Sequence, residues 1–471
     1  MFHVEHSGDT LTRALERFSA EGNHRFHLPG HKGVLPPPLD GAARIDMTEL
    51  RRTGNLYTEA DGLIRRAERR CAALYGASSA QFLTGGSTQG ILAMLGAVTR
   101  PGDTVAVDRG CHRSVYAAMA LLDLTPRYLT RERLEPCGVG AALEPSPLPE
   151  ETVCMVLTCP TYYGVRSPNR DWRTASGRPV PVLVDAAHGA HLPFLSHGAA
   201  SPLDGAHMAV CSAHKTLPAL GQAAFLLLSE AADAERLRDM TALFGTASPS
   251  YVILASMDGA FAALEQGRDP WAETAAYAAA LRADYPSLLA ETPDLALDAA
   301  RLCLHTGDGF RDALRLEREW GILSEMADNE NVVLILSSSD PPESRAALRR
   351  ALEGLALGRG ILPYTGRLPP LPLPQPALRL RDALFAPAER VRLADAAGRA
   401  AARPLAPYPP GIPLVAPGEI IDKNHIEILC GLCYNERLRR RARNGAIHLP
   451  CSCLTCYNER EQDFTVEVCG I

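Results

Sequence analysis

Lysine is nearly missing from this chain of 471 residues: of its 48 basic residues only Lys32, Lys215 and Lys423 are lysines, and arginine fills every other basic position. A guanidinium stays protonated, whereas a desolvated ammonium can lose its proton and attack a carbonyl. A sequence that meets its solubility and ion-pair needs with arginine retains lysine where arginine cannot substitute. That singles out Lys215, in the stretch CSAHKTLPALGQ, as a candidate for covalent chemistry. Codon bias that spared three lysines by chance is the competing account, and the neighbourhood of Lys215 has to decide between them.

Other absences narrow the field. No apolar run approaches the length of a membrane span, and the opening MFHVEHSGDT lacks the basic and apolar regions of a signal peptide, so the expectation is a cytoplasmic protein with no membrane partner. The net charge of −6 offers no basic excess for nucleic acid, and the short run RLRRRAR reads as a solvated face. Cysteine is sparse and unpatterned over the first 421 residues, where seven occur, as expected for buried thiols in a reducing compartment; six more crowd into the last 42.

Between about residues 60 and 230 short apolar runs alternate with helix-length amphipathic stretches. AQFLT, TVAVD, TVCMVLT, PVLVDAA, AHMAVCS and AAFLLLS read as strands buried on both faces, and DGLIRRAERRCAALYG, QGILAMLGAVT and HRSVYAAMALLD have helical periodicity. The pattern implies an α/β fold with a mainly parallel, doubly wound sheet. In such sheets ligands sit at the carboxyl ends of the strands, so the residues after each apolar run matter most. These are GGSTQG, RGCHRS, CPTYYG, DAAHGAH and CSAHKT, which bring glycines, hydroxyls, four histidines, an aspartate and Lys215 to one sheet edge. Beyond residue 260 the chain turns to alanine-rich helix, a strand in DNENVVLILS, and the proline-rich connection RLPPLPLPQPALRL.

Each member of this set has a structural reading of its own. GGSTQG can bind a phosphate at a helix N-terminus or simply cap the helix, and Asp185 can meet a cation or cap the helix that follows it. His112 can be a satisfied turn histidine. Together, however, a phosphate cradle, an acid for a protonated ring nitrogen, a flat side chain to stack on a ring and a lysine for a Schiff base are the parts that pyridoxal phosphate needs.

The residues FHLPGHKG, RIDMTEL, GGSTQGILAM, DRGCHRSVYAAM, CPTYYGV, VDAAHGAH, SAHKTLPALGQ, TASPSYVILASMDGA and PYPPGIPLVAPGE match, in order, the landmarks of the Orn/Lys/Arg decarboxylase family, over about residues 24 to 421. The resemblance implies an aspartate-aminotransferase-type large domain that binds pyridoxal 5'-phosphate at 1–280, with a smaller α+β C-terminal domain at 281–421. It implies a homodimer that shares its active sites and lacks the amino-terminal wing of the large members. By the same resemblance Lys215 carries the cofactor, Asp185 pairs with the pyridine nitrogen, His112 stacks on the ring, Ser87, Thr88 and Ser212 hold the phosphate, and His188 and His214 flank the cofactor. The sequence departs from the family pattern at Ile91, where asparagine is usual, and at Ala247, where a hydroxyl is usual; Thr246 and Ser248 remain available beside it.

The expected reaction is decarboxylation of arginine, lysine or ornithine to a polyamine precursor, with His214 or Lys215 returning a proton to Cα. The same parts also serve aminotransferases and lyases, and a third account is a cofactor-binding relic that acts through its tail. In that tail, residues 422–471, CGLCYNER is echoed by CLTCYNER. Cys430, Cys433, Cys453 and Cys456 form two C-x-x-C pairs with the spacing of a four-thiolate zinc site. The tail lies outside the decarboxylase resemblance and distantly resembles the small zinc-binding inhibitor of a sporulation sigma factor.

Overall fold

The computed structural model describes residues 10–195, 200–267, 271–355, 366–406, 411–429, 456–457 and 464–470. The chain divides into two units, and elements are numbered along the whole chain.

The first unit comprises Met1–Val98, Pro181–Thr274 and Ser337–Ser339. Helices α1 (Leu11–Ala20), α2 (Asp40–Ile45) and α3 (Leu63–Tyr75) lead into β1 (Ser79–Leu83) and α4 (Gly86–Val98). After the chain returns to this unit it forms β6 (Val182–Asp185), β7 (Met208–Ser212), the single-turn α6 (Ala213–Thr216), β8 (Ala224–Leu228), α7 (Ala234–Leu243) and α8 (Tyr251–Glu265). Its strands lie in the order β1-β8-β7-β6, and every residue of β6, β7 and β8 is buried. That is why those runs are apolar without alternation. Helix α4 packs so closely that a Cβ on Gly90 would lie 2.5 Å from Val210 Cγ2 and 2.9 Å from Leu83 Cδ1, so only glycine fits there.

Strands β6 and β7 are parallel, but β8 runs antiparallel to both β7 and β1. The sequence pattern groups Ala224–Leu228 with the parallel strands. It reverses because only residues 213–223 separate it from β7, fewer than a parallel crossover needs.

The second unit comprises Thr99–Val180, Ala275–Leu336 and Asp340–Ile471. It contains β2 (Thr104–Asp108), α5 (Arg113–Leu121), β3 (Thr125–Leu129), β4 (Arg133–Glu135) and β5 (Thr152–Thr158), with β5, β2 and β3 adjacent and parallel. The apolar-run criterion misses β3, whose residues are at most half-buried; a strand flanked on one side only is not forced to be apolar. The strand expected in DNENVVLILS is Asn331–Ile335, antiparallel to Arg301–His305 and Met326–Ala327. Leu393, Leu405, Val415, Ile421, Val466 and Val468 belong to a separate core near the carboxyl end.

Candidate active site

In the first unit the reversed strand β8 assembles the site. Because it is antiparallel, its first residues reach the edge where β1 and β7 end. There Gln222, held at φ +73°, presents its carbonyl to the Gly86 amide at 3.0 Å, and the carbonyl of Ala223 accepts from His214 Nδ1 at 2.8 Å. One stretch of main chain thus ties the start of α4, with Ser87 and Thr88, to α6, with His214 and Lys215. Ser87 is half-buried and Thr88 exposed at the opening of that helix, whose first amides carry its positive dipole end.

Asp185 ends β6, opposite Val210 of the parallel β7. It is 4% exposed, and its Oδ1 accepts from the Ala187 amide at 3.1 Å. In the residue that follows Ala187, His188 Nε2 lies 3.1 Å from Lys215 Nζ. An ammonium can only donate, so Nε2 of His188 accepts when Lys215 is protonated. His214 donates through Nδ1, because a carbonyl can only accept, and its neutral ring therefore leaves Nε2 bare. Burial, together with the charge of Lys215, holds the His214 imidazole below its ordinary range, only partly offset by the Ala223 carbonyl. Lys32 and Lys423 are exposed, and Lys32 Nζ donates to the carbonyl of His27. Of the three lysines, Lys215 is the half-buried one at a strand end.

The donors present suit a phosphorylated cofactor. Ser212 Oγ, at the end of β7, is fully buried and finds no hydrogen-bond partner in the protein, and the same holds for the hydroxyls of Thr84, after β1, and Thr216, in α6. A buried hydroxyl left so costs about 1–3 kcal/mol, which a ligand oxygen would offset. Sequence reasoning names Ser212 but misses Thr84 and Thr216; single hydroxyls beside apolar runs give no signal until the strand ends are aligned. His191, the fourth histidine of the sheet-edge motifs, is fully buried with its ring 4.7 Å from that of Trp271, a packing role. Ile91 is buried in α4, and Thr246, Ala247 and Ser248 are exposed ahead of α8, with the Thr246 hydroxyl accepting from the Ser248 amide at 3.1 Å.

His112 belongs to the second unit, where it N-caps α5. Its Nδ1 accepts from the Ser114 amide at 3.2 Å, which leaves the proton of the neutral ring on Nε2. Among the described residues no group of His, Cys, Asp and Glu is disposed to hold a metal ion. Of the four tail cysteines, Cys430, Cys433 and Cys453 lie outside the described residues, and Cys456 is described in its backbone alone, in the short strand Cys456–Tyr457. No described helix is long and apolar enough to cross a membrane.

Residues 9–295 match the family model described as Orn/Lys/Arg decarboxylase, major domain, and residues 371–441 match Orn/Lys/Arg decarboxylase, C-terminal domain. The chain is 32% identical over 467 residues to the Bacillus subtilis protein YaaO, covering 90% of this chain and 94% of that one. It is 29% identical over 442 residues to an arginine decarboxylase of Halalkalibacterium halodurans, covering 85% and 89%. Among solved structures, the constitutive lysine decarboxylase of Escherichia coli superposes with a TM-score of 0.76 at 20% identity, over 98% of this chain and 81% of that one. A serine palmitoyltransferase of Sphingomonas wittichii does so with a TM-score of 0.50 at 19% identity, over 66% and 81%. The fold is therefore of the aspartate-aminotransferase type, as the sequence motifs imply.

Proposed function

Since this chain belongs to the Orn/Lys/Arg decarboxylase family, we propose that it removes the α-carboxylate of a basic amino acid with pyridoxal phosphate as cofactor, arginine being the first substrate to test. The observation that carries this reading is the contact of 3.1 Å between Lys215 Nζ and His188 Nε2, at the strand edge that also bears Asp185. Arginine comes first because the relatives that align along most of this chain at 26–29% identity are named arginine decarboxylases.

When bound, pyridoxal phosphate supplies the electron sink that lets the bond between Cα and the carboxylate break. Lys215 would attach the cofactor through Nζ, with His188 Nε2 placed to take the proton that Lys215 must lose to act as a nucleophile. Asp185 keeps the ring nitrogen protonated, and its own turn, through the Ala187 amide, fixes the carboxylate at the end of β6. Ser87, Thr88 and Ser212 hold the phosphate, with Thr84 and Thr216 as further hydroxyl donors. By the family resemblance, His112 would stack on the ring. Once released from the cofactor, Lys215 Nζ would take its proton back from His188 Nε2 and deliver it to Cα, with His214, whose imidazole burial holds below its ordinary range, as the other candidate donor.

On the same reading the protein is a cytoplasmic homodimer in polyamine biosynthesis, divided at about residues 280 and 421. Cys430, Cys433, Cys453 and Cys456 bind one zinc ion in the tail; the support is their spacing alone. The decisive experiment is a panel of arginine, lysine and ornithine with the purified, cofactor-loaded protein, followed by borohydride reduction and peptide mapping. Carbon dioxide is expected from one of the three, with the label on the peptide containing Lys215. Transfer of amino groups to a keto acid without carbon dioxide, or label on Lys32 or Lys423, would overturn the reading.

A further inference from the structure

Four residues join the end of β2 to the start of α5, and the last of them is His112. A loop this short points its terminal side chain wherever its two anchors dictate. One anchor is Asp108, fully buried, whose Oδ2 accepts from Arg131 Nη2 at 2.7 Å and Nε at 3.1 Å, while its Oδ1 accepts from the Gly110 amide at 2.9 Å. The other is Arg109. Its guanidinium meets Glu419 in a fork, Nη1 to Oε1 at 2.9 Å and Nη2 to Oε2 at 2.8 Å, and Nη2 also donates to the carbonyl of Leu414 at 3.1 Å. The rings of Tyr128 and Tyr116 flank it at 4.8 and 5.7 Å, and the Tyr116 hydroxyl donates to the carbonyl of Arg109 at 3.1 Å.

Glu419 is equally constrained. Its Oε2 accepts from the Ala416 amide at 2.6 Å, and the preceding Gly418 sits at φ +86°, where an added Cβ would lie 2.4 Å from the carbonyl of Leu378. The side chains of the pair are 12% and 6% exposed. A buried ion pair is a poor stabiliser compared with apolar packing of the same volume, but its forked geometry fixes a position. Here it fixes the first residue of the loop that carries His112, using a segment 310 positions away in sequence.

We propose that Arg109 and Glu419 are positioning residues that set His112 against the cofactor, so that the C-terminal segment 411–419 takes part in cofactor binding without touching it. The proposal rests on the reading of His112 given above. No step of the reaction requires the pair; its effect is on where the imidazole sits, and so on how tightly and in what orientation the cofactor is held.

The test is the dissociation constant for pyridoxal phosphate, measured by equilibrium dialysis of the full chain. The visible circular dichroism of the bound cofactor is read alongside it. The proteins are wild type, Glu419→Gln, His112→Ala and the double variant, with Arg109→Lys in place of Glu419→Gln should the latter fail to fold. Glu419→Gln and His112→Ala are each expected to weaken binding by about tenfold and to change the dichroism. The double variant should be no worse than His112→Ala, because the clamp acts through that ring. Additive losses in the double variant would make Glu419 merely structural and overturn the proposal. Wild-type affinity in Glu419→Gln beside a weakened His112→Ala would sink the proposal alone, whereas wild-type affinity in His112→Ala would remove the role of His112 and the proposal with it.

Discussion

Replacing Ser212 by alanine should change the protein in opposite directions with and without its cofactor. Without it, Ser212 Oγ is fully buried and has no hydrogen-bond partner, so the folded state carries a desolvation cost of about 1–3 kcal/mol that alanine does not. Alanine is isosteric but for one oxygen, so little cavity results. With an unfolding entropy of about 2.1 cal/mol/K per residue, a chain of 471 residues loses roughly 1 kcal/mol of stability per kelvin near its midpoint. The stripped Ser212→Ala protein should therefore melt roughly 1–3 °C higher than the stripped wild type. The loaded protein should respond the other way, since a hydroxyl that donates to a charged phosphate is worth about 1.5–3 kcal/mol, which weakens cofactor binding by about ten- to a hundredfold. Differential scanning calorimetry on the stripped forms and equilibrium dialysis against pyridoxal phosphate read the two effects separately. A stripped variant that melts lower, with unchanged cofactor affinity, would mean that Ser212 has a structural partner and no part in phosphate binding.

Asp185→Asn should retain bound cofactor yet lower turnover by about three orders of magnitude, about 4 kcal/mol of barrier, read as carbon dioxide release; near-normal turnover would exclude Asp185 from its role. Gly90→Ala should cost about 1–3 kcal/mol by overpacking α4 against Val210 and Leu83, seen as a lower urea midpoint with an unchanged slope. The imidazole of His214 is held below its ordinary value, so the folded state resists its protonation. Its contribution to stability is present above about pH 6.5 and is lost as pH falls through the lower, folded value; His214→Gln should flatten that limb of a stability–pH profile. Metal analysis should find one zinc per chain in the wild type and none in Cys430→Ser with Cys453→Ser; no zinc in the wild type would dismiss the tail site.

The sequence by itself determined the alternation of strand and helix and the motif order that marks the family, and it singled out Lys215 among three lysines as the one to test. All of these are local or compositional: a strand buried on both faces has to be apolar, and a lysine kept among arginines stands out. Tertiary structure decided what depends on partners distant in the chain. The reversal of β8 followed from a connection too short to cross over, and it brought the carbonyls of Gln222 and Ala223 between two motifs more than a hundred residues apart. Strand β3 escaped notice because an edge strand need not be apolar. Thr84 and Thr216 gained meaning only as buried hydroxyls without partners. Arg109 and Glu419 look like two of many charges in the sequence, and only the fold closes the 310 positions between them into a fork, because an ion pair leaves no periodicity or spacing by which to read it in advance.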